Sequence, residues 1–411
     1  MFGWGKAPPL PPEPEPASFM WATLASILVC WVLPWIVLKV TKSTPAPLKF
    51  YIFGHPVLMS PSPDIHNAGF TTNGAPHRYE RYDTEDAAEV IRTVKGALCG
   101  GGSVTIPHKE SVMPHMDELT DSARRIGAVN TITKLHDGTL RGDNTDWLGI
   151  KNQLEAKAPP RESKNTPIVA LVCGAGGTAK AAAYALQQMG ASRVLIFNRT
   201  KSRAEQLAAD FGFEAIDDLS ALGTSLSRAW LPCPRPSPPP DHPPPPPPLP
   251  PSVTSRFSSS SHAAARQLLQ QPLPEPQRTA SHRARTADAL ARLDFVVDTL
   301  PGSTGFTLPS KQAAILAKFK PTCLEAAYIP RHTAFVKQAL KAGCRVVEGV
   351  EMLFEQGCAQ CTIWTGQPAP RSAIASALIE ALFSKSSAHP AAEKMEPRDQ
   401  PPDGLTCEAK A

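Results

Sequence analysis

From residue 48 onward the chain alternates short apolar runs with stretches whose apolar residues recur every three or four positions, the texture of strands interleaved with helices. KFYIFG (49–54) reads as a buried strand ending at a glycine, and SPSPDIHNAGFTTNG (60–74) as a loop leading into a short amphipathic helix. HRYERYDT (77–84) alternates as a strand does, AAEVIRTVKGAL (87–98) has helical spacing, and SVTI (103–106) is the next strand, stopped by Pro107. HKESVMPHMDELTDSARRIG (108–127) predicts a largely helical segment. AVNTITKLHDGTLRGDNTD (128–146) carries the alternation and the Asp-Gly turn of a hairpin. Residues 48–156 are therefore expected to form one α/β domain.

A polar linker, KAPPRESKNT (157–166), precedes a second unit expected over 167–350. There IVALVCGAGG (168–177) is an apolar strand running into a glycine turn. An alanine-rich helix (178–190) follows, then a second strand, SRVLIFNRT (192–200). The order strand, glycine turn, helix, strand is that of a dinucleotide-binding unit. The pattern continues through AEQLAADFG (204–212) and resumes at LDFVVDTLPG (293–302), another strand with a ligand-facing turn at its end. C-terminal residues 351–385 are amphipathic and helical, and 386–411 form a polar tail expected to be disordered.

Composition modifies this picture in three places. Proline is clustered: 14 of the 21 residues in 231–251 are proline. Such a tract forms polyproline II or stays disordered and cannot build a core, so 223–290 reads as an insertion in a surface connection, where loop closure cost grows slowly with length. Residues 1–17 are also proline-rich, and 18–38 are 21 residues without a charge, the length of a membrane-spanning helix. Lys39, Lys42 and Lys49 follow it, which would leave the bulk of the chain on the cytoplasmic side, tethered by 18–38. Nine scattered cysteines are not a disulfide framework, and the Cys358/Cys361 pair lies in a helical run as packed thiols rather than a zinc site. A net charge of +5, spread along the chain, leaves no electrostatic footprint for nucleic acid. Nothing in the sequence sets an oligomeric state, and no metal-ligand pattern is present.

The glycine turn brings the first chemistry. Gly174, Gly176 and Gly177, with Ala175, Thr178 and Ala179, would let backbone N–H groups and a helix N-terminus approach a pyrophosphate. After the second strand, where an acidic residue would select NAD, the chain has Asn198, Arg199, Thr200, Lys201 and Arg203. Guanidinium there suits a 2′-phosphate and favours NADP. The first domain places Ser60, Ser62, Thr105, Lys109, Asn130 and Asp146 at strand ends and turns, a set suited to a small polyhydroxylated acid. Reduction of a ketone needs a proton donor, which Lys109 can be if a partner such as Asp146 holds it.

Taken together, SPSP-DIHN, SVTIPHK, DELTDSARRIGAVNTI, GDNTDWLGI, VCGAGGTAKAA, NRT, CLEAAYIP and EMLFEQGCAQ resemble the shikimate dehydrogenase family, and most of all the fungal type found as the last domain of the pentafunctional AROM polypeptide. The resemblance implies an N-terminal α/β substrate domain, a Rossmann-like NADP-binding domain, and C-terminal helices returning to the first domain. It implies NADPH-dependent interconversion of 3-dehydroshikimate and shikimate in aromatic amino-acid biosynthesis. By that resemblance Lys109 and Asp146 are catalytic. Ser60 and Ser62 bind the substrate carboxylate, Thr105, Asn130 and Gln356 the ring hydroxyls, and Tyr328 lies at the substrate. Gly174 to Ala179 and Asn198 to Arg203 bind NADP, with Ala326 and Gly349 near the nicotinamide. The chain departs from many members at Ser103 and Trp147. Quinate dehydrogenase and a non-catalytic quinate-pathway regulator are the alternatives.

Overall fold

Strands of two to six residues build two six-stranded sheets, one in each lobe. The computed structural model describes residues 46–161, 163, 166–227, 292–383, 402 and 405. The first sheet holds β1 (Lys49–Gly54), β2 (Arg78–Asp83), β3 (Cys99–Val104), β4 (Glu118–Leu119), β5 (Thr131–Lys134) and β6 (Leu140–Asp143), in the order β2-β1-β3-β5-β6-β4. It is mixed: β1 runs parallel to β2 and β3, whereas β5 is antiparallel to both β3 and β6. Helices α1 (Ser62–Thr72) and α2 (Ala87–Lys95) connect its first three strands.

Two segments differ from the expected pattern. The strand expected at 103–106 begins earlier, at Cys99, and ends at Val104. Its Gly100, Gly101 and Gly102 are required by close neighbours: a Cβ on Gly101 would stand 2.1 Å from the Ile132 carbonyl oxygen, and one on Gly102 would stand 2.4 Å from that of Tyr51. The glycine run, which lies outside the expected elements, is a strand squeezed between two backbones. The stretch 108–127 is not largely helical. It holds a 3₁₀ turn (Met113–His115), the strand β4, and only a short helix α3 (Asp121–Ile126). Pro114 supplies no N–H, and β4 finds its backbone partners on β6, so sheet pairing overrides the helical spacing.

Helix α4 (Asp146–Lys157) leads to the second lobe. There β7 (Val169–Cys173), α5 (Gly177–Gln188), β8 (Arg193–Phe197), α6 (Lys201–Phe211), β9 (Glu214–Ile216), α7 (Leu222–Ser227), β10 (Phe295–Asp298), α8 (Ser310–Phe319), β11 (Thr322–Glu325), α9 (Ala334–Lys341) and β12 (Arg345–Val347) follow in order. All six strands are parallel, in the order β9-β8-β7-β10-β11-β12. The winding reverses between β7 and β10, the place where a doubly wound sheet opens a crevice for ligand. Both faces of this sheet are covered, and its strands are accordingly apolar on both sides. Leu222 and Leu226 are buried in that core, so the fold runs past residue 223, the expected start of the insertion.

Helices α10 (Gly349–Thr365) and α11 (Arg371–Phe383) then leave the second lobe and pack on α1 and α4 of the first. Cys358 and Cys361 are buried thiols, not joined in a disulfide, in this packing. Leu405, in the tail expected to be disordered, is 1% exposed and joins the same apolar cluster. The apolar stretch 18–38, the proline-rich residues of 231–251 and most of the tail lie outside the described residues. Among the described residues no helix is long and apolar enough to cross a membrane.

Candidate active site

Between the lobes lies a cavity of about 240 Å³. On the wall formed by the first lobe and α10, its polar lining comes from five separate stretches. Ser60 and Ser62 open α1, Thr105 and Lys109 follow β3, Asn130 precedes β5, Asp146 begins α4, and Gln356 and Gln360 project from one face of α10. Every substrate-binding and catalytic residue expected from the sequence is in this lining, together with Tyr328. Four apart on a helix, Gln356 and Gln360 share a face. The spacing in EQGCAQ is the signal that would have added Gln360.

The centre of the lining is an ion pair. The Lys109 ammonium donates to Asp146 Oδ2 at 2.6 Å, and their side chains are only 13% and 6% exposed. Asp146 is fixed from behind: its other oxygen accepts from Asn130 Nδ2 at 2.8 Å, and its backbone N–H donates to Asn144 Oδ1 at 3.1 Å. Asn130 also donates to Thr145 Oγ1 and Gln356 Oε1, and its own oxygen accepts from the Thr145 N–H at 2.7 Å. Asn130 is 2% exposed and fully bonded, which is what a buried amide requires. The carboxylate is thereby held in one orientation before any ligand arrives.

At the α1 end, Ser60 Oγ donates to Ser62 Oγ at 3.0 Å, and the Arg81 guanidinium holds the loop by donating to the Ser60 carbonyl at 2.9 Å. Two hydroxyls at a helix N-terminus with a guanidinium behind them favour an anion. Burial pushes the Tyr328 phenol above its ordinary value, with hydrogen bonding to Ser60 and the Arg81 charge acting against it. Ser103, the departure noted above, receives the Tyr79 hydroxyl at 2.6 Å and donates to Gln360 Oε1 at 2.8 Å. Gln360 in turn donates to Thr131 Oγ1 at 2.9 Å. Beneath them His66 stacks on Tyr79 at 4.4 Å, and burial lowers its pKa to about 3, so the ring is neutral.

The facing wall belongs to the second lobe. Thr178, Thr299, Leu300, Ala326, Ala327 and Gly349 line the cavity there. Thr299 and Leu300 follow Asp298 at the end of β10, and Ala326 and Ala327 follow Glu325 at the end of β11. Asp298 and Glu325 are directly paired across the two strands, 2% and 1% exposed. Burial, reinforced by the Glu325 charge, raises Asp298 to about 8, and burial raises Glu325 to about 7. Each carboxyl accepts from the loop beyond it: Asp298 from the Leu300 N–H, Glu325 from the Ala327 N–H and the Thr333 hydroxyl.

The residues expected to hold a dinucleotide fit one. Gly174 adopts φ +118°, and a Cβ there would meet Thr299 Oγ1 at 2.3 Å, so the turn admits only glycine. Gly176, at the start of α5, has open space where a side chain would stand, and no side chain caps that helix. Its first N–H groups are therefore available to a phosphate. At the end of β8, Asn198 Nδ2 donates to the Thr200 carbonyl at 3.0 Å and shapes the turn. Arg199 and Arg203 are exposed there, whereas Lys201 is engaged by Asp217 at 2.7 Å. Trp147 lies outside the cavity lining. It packs edge-to-face on Tyr184 with ring centroids 5.1 Å apart, joining α4 to α5.

Known proteins resemble this chain over most of its length. Residues 52–132 match a family model described as the shikimate dehydrogenase substrate binding domain, 161–229 one for shikimate / quinate 5-dehydrogenase, and 349–379 one for the shikimate 5'-dehydrogenase C-terminal domain. The pentafunctional AROM polypeptide of Lachancea thermotolerans is 35% identical over 333 residues, covering 80% of this chain and 18% of that one. The chain thus spans less than a fifth of that relative's length. The structure of the dehydroquinate dehydratase and shikimate dehydrogenase from S. pombe AroM superposes with a TM-score of 0.56 at 30% identity, over 81% of this chain and 53% of that one. A shikimate 5-dehydrogenase from Thermus thermophilus, solved in complex with NADP(H) and shikimate, gives a TM-score of 0.56 at 26% identity, over 82% of this chain and all of that one.

Proposed function

The chain belongs to the shikimate dehydrogenase family, and from that premise we propose that it interconverts 3-dehydroshikimate and shikimate with NADP(H). The observation that carries the reading is the Lys109–Asp146 pair, set in a cavity with serine hydroxyls at one end and the glycine turn of a dinucleotide fold at the other. NADPH, when bound, supplies the hydride that reaches the ring carbonyl carbon. The residues that would hold it are Gly174 to Ala179, Asn198 to Arg203, Ala326 and Gly349.

What the chain contributes is orientation and a proton. Ser60 and Ser62 take the substrate carboxylate at the N-terminus of α1, with Tyr328 beside them. Thr105, Asn130 and Gln356 take the ring hydroxyls. As charge develops on the carbonyl oxygen, the Lys109 ammonium donates a proton to it, and in the reverse direction the neutral amine accepts that proton. Asp146 keeps the ammonium facing the cavity. Positioned proton transfer of this kind contributes about 10²- to 10⁴-fold in rate. A catalytic region on the cytoplasmic side is part of the proposal, as is attachment of that region through residues 18–38, which fractionation of cells with and without those residues would test.

Steady-state assays with shikimate and with quinate, each with NADP and with NAD, test the reading directly. Shikimate with NADP is expected to give the highest kcat/KM. Preference for quinate would move the assignment to the sibling activity. Lys109→Ala is expected to lower kcat by about 10³-fold, within the range of general acid catalysis, while shikimate still binds. Turnover near that of the parent would remove Lys109 from its role.

A further inference from the structure

Lys109 is held by both lobes. Its ammonium donates to Asp146 in the first lobe, and also to Thr178 Oγ1 in the second, at 3.1 Å. Thr178 is the second residue of α5 and lines the cavity. Two neighbouring contacts keep this register. The Lys109 side-chain stem lies against Gly177 so closely that a Cβ on Gly177 would stand 3.2 Å from Lys109 Cβ. Next along, Glu110 pairs with Lys180 at 2.7 Å. Residues 177, 178 and 180 therefore meet residues 109 and 110 side by side.

A lysine stem has four carbons and rotates freely, so one carboxylate fixes the distance of its nitrogen without fixing its direction. The ammonium has three N–H bonds. With one on Asp146 and one on Thr178, arriving from opposite walls, the third has a defined direction into the cavity. We propose that Thr178 is a positioning residue: its hydroxyl aims the Lys109 ammonium, so that the helix opening the nucleotide site also sets where the proton donor stands. The inference rests on Lys109 being that donor. It concerns the Thr178 side chain, whereas phosphate binding at this helix end uses backbone N–H groups.

Thr178→Val keeps the branched shape and removes the acceptor, and Thr178→Ser keeps the acceptor and removes the methyl group. Thr178→Val is expected to lower kcat by about 10- to 100-fold, the range carried by a hydrogen bond to a charged group, with the Kd for NADPH, read by fluorescence titration, and the KM for shikimate both unchanged. Thr178→Ser is expected to restore kcat. Lys109→Ala is assayed alongside. Parental kcat in Thr178→Val with an inactive Lys109→Ala overturns the positioning role alone. Parental kcat in Lys109→Ala overturns the donor assignment and this inference with it. Weakened NADPH binding at parental kcat assigns the side chain to the cofactor, and no rescue by serine assigns the effect to the methyl group; either result overturns the proposal.

Discussion

Asp298 and Glu325 offer a quantitative test of the second lobe. Both carboxyls are buried and adjacent on parallel strands, and both have pKa values raised toward neutrality, to about 8 and about 7. A carboxyl raised in the fold binds its proton more tightly folded than unfolded. Its contribution to stability is complete below the unfolded value near 3.8 and is lost as pH rises through the folded value. Between those limits each such group removes about 1.4 kcal/mol of stability per pH unit. Asp298→Asn has nearly the same shape, keeps an oxygen for the Leu300 N–H, and cannot ionise. Its stability should fall with pH less steeply than the parent's by about 1.4 kcal/mol per unit, or about 3 kcal/mol over the two units from about pH 5 to about pH 7. Urea midpoints followed by circular dichroism from acid to mildly alkaline pH measure this. Parent and variant curves that run parallel would show that Asp298 does not take up a proton on folding.

Three further outcomes are expected. Gly101 has φ +141° and no room for a side chain beside Ile132, so Gly101→Ala should destabilise by about 2–4 kcal/mol, seen as a lowered thermal midpoint; an unchanged midpoint would contradict the close approach of β3 and β5. Arg199→Asp should weaken NADPH by about 10- to 100-fold and leave NADH nearly unaffected, measured as separate dissociation constants; equal losses would take the 2′-phosphate away from Arg199. Gln360→Leu leaves the buried Ser103 hydroxyl without its acceptor and takes a donor from Thr131 and should cost about 1–3 kcal/mol while raising the KM for shikimate; a parental KM would separate this network from the site.

The alternation of strands and helices was legible because most elements bury one consistent face, and the glycine turn because dinucleotide binding requires a missing side chain at defined positions. Legibility ended where partners remote in sequence decide the outcome. The segment 108–127 has helical spacing, but β4 is captured by β6. Glycines 100–102 carry no strand pattern of their own until the backbones of Tyr51 and Ile132 are placed against them. In the site, Lys109 and Asp146 stood out by residue type, and their meeting in one cavity is a property of the fold. Ser103 stood out only as a departure; its link through Gln360 to Thr131 depends on α10 lying across β3 and β5. The contact between Thr178 and Lys109 depends on how one lobe faces the other, which no local pattern encodes.

Helix α10 has a consequence for the order in which the protein becomes functional. It starts at the end of β12, yet Gln356 and Gln360 complete the wall built by residues 60–146. Roughly 200 residues separate Lys157 from Gly349, a delay of about 10–40 s at ordinary synthesis rates. During that time the first lobe emerges with Asn130 and Ser103 facing water instead of their glutamine partners. The substrate lobe is thus discontinuous in the gene, and its pocket closes only after the nucleotide lobe has been made. An exchange of substrate lobes between relatives would have to carry residues 48–157 and 349–383 together, since a cut at the linker alone would leave each pocket with glutamines from the wrong parent.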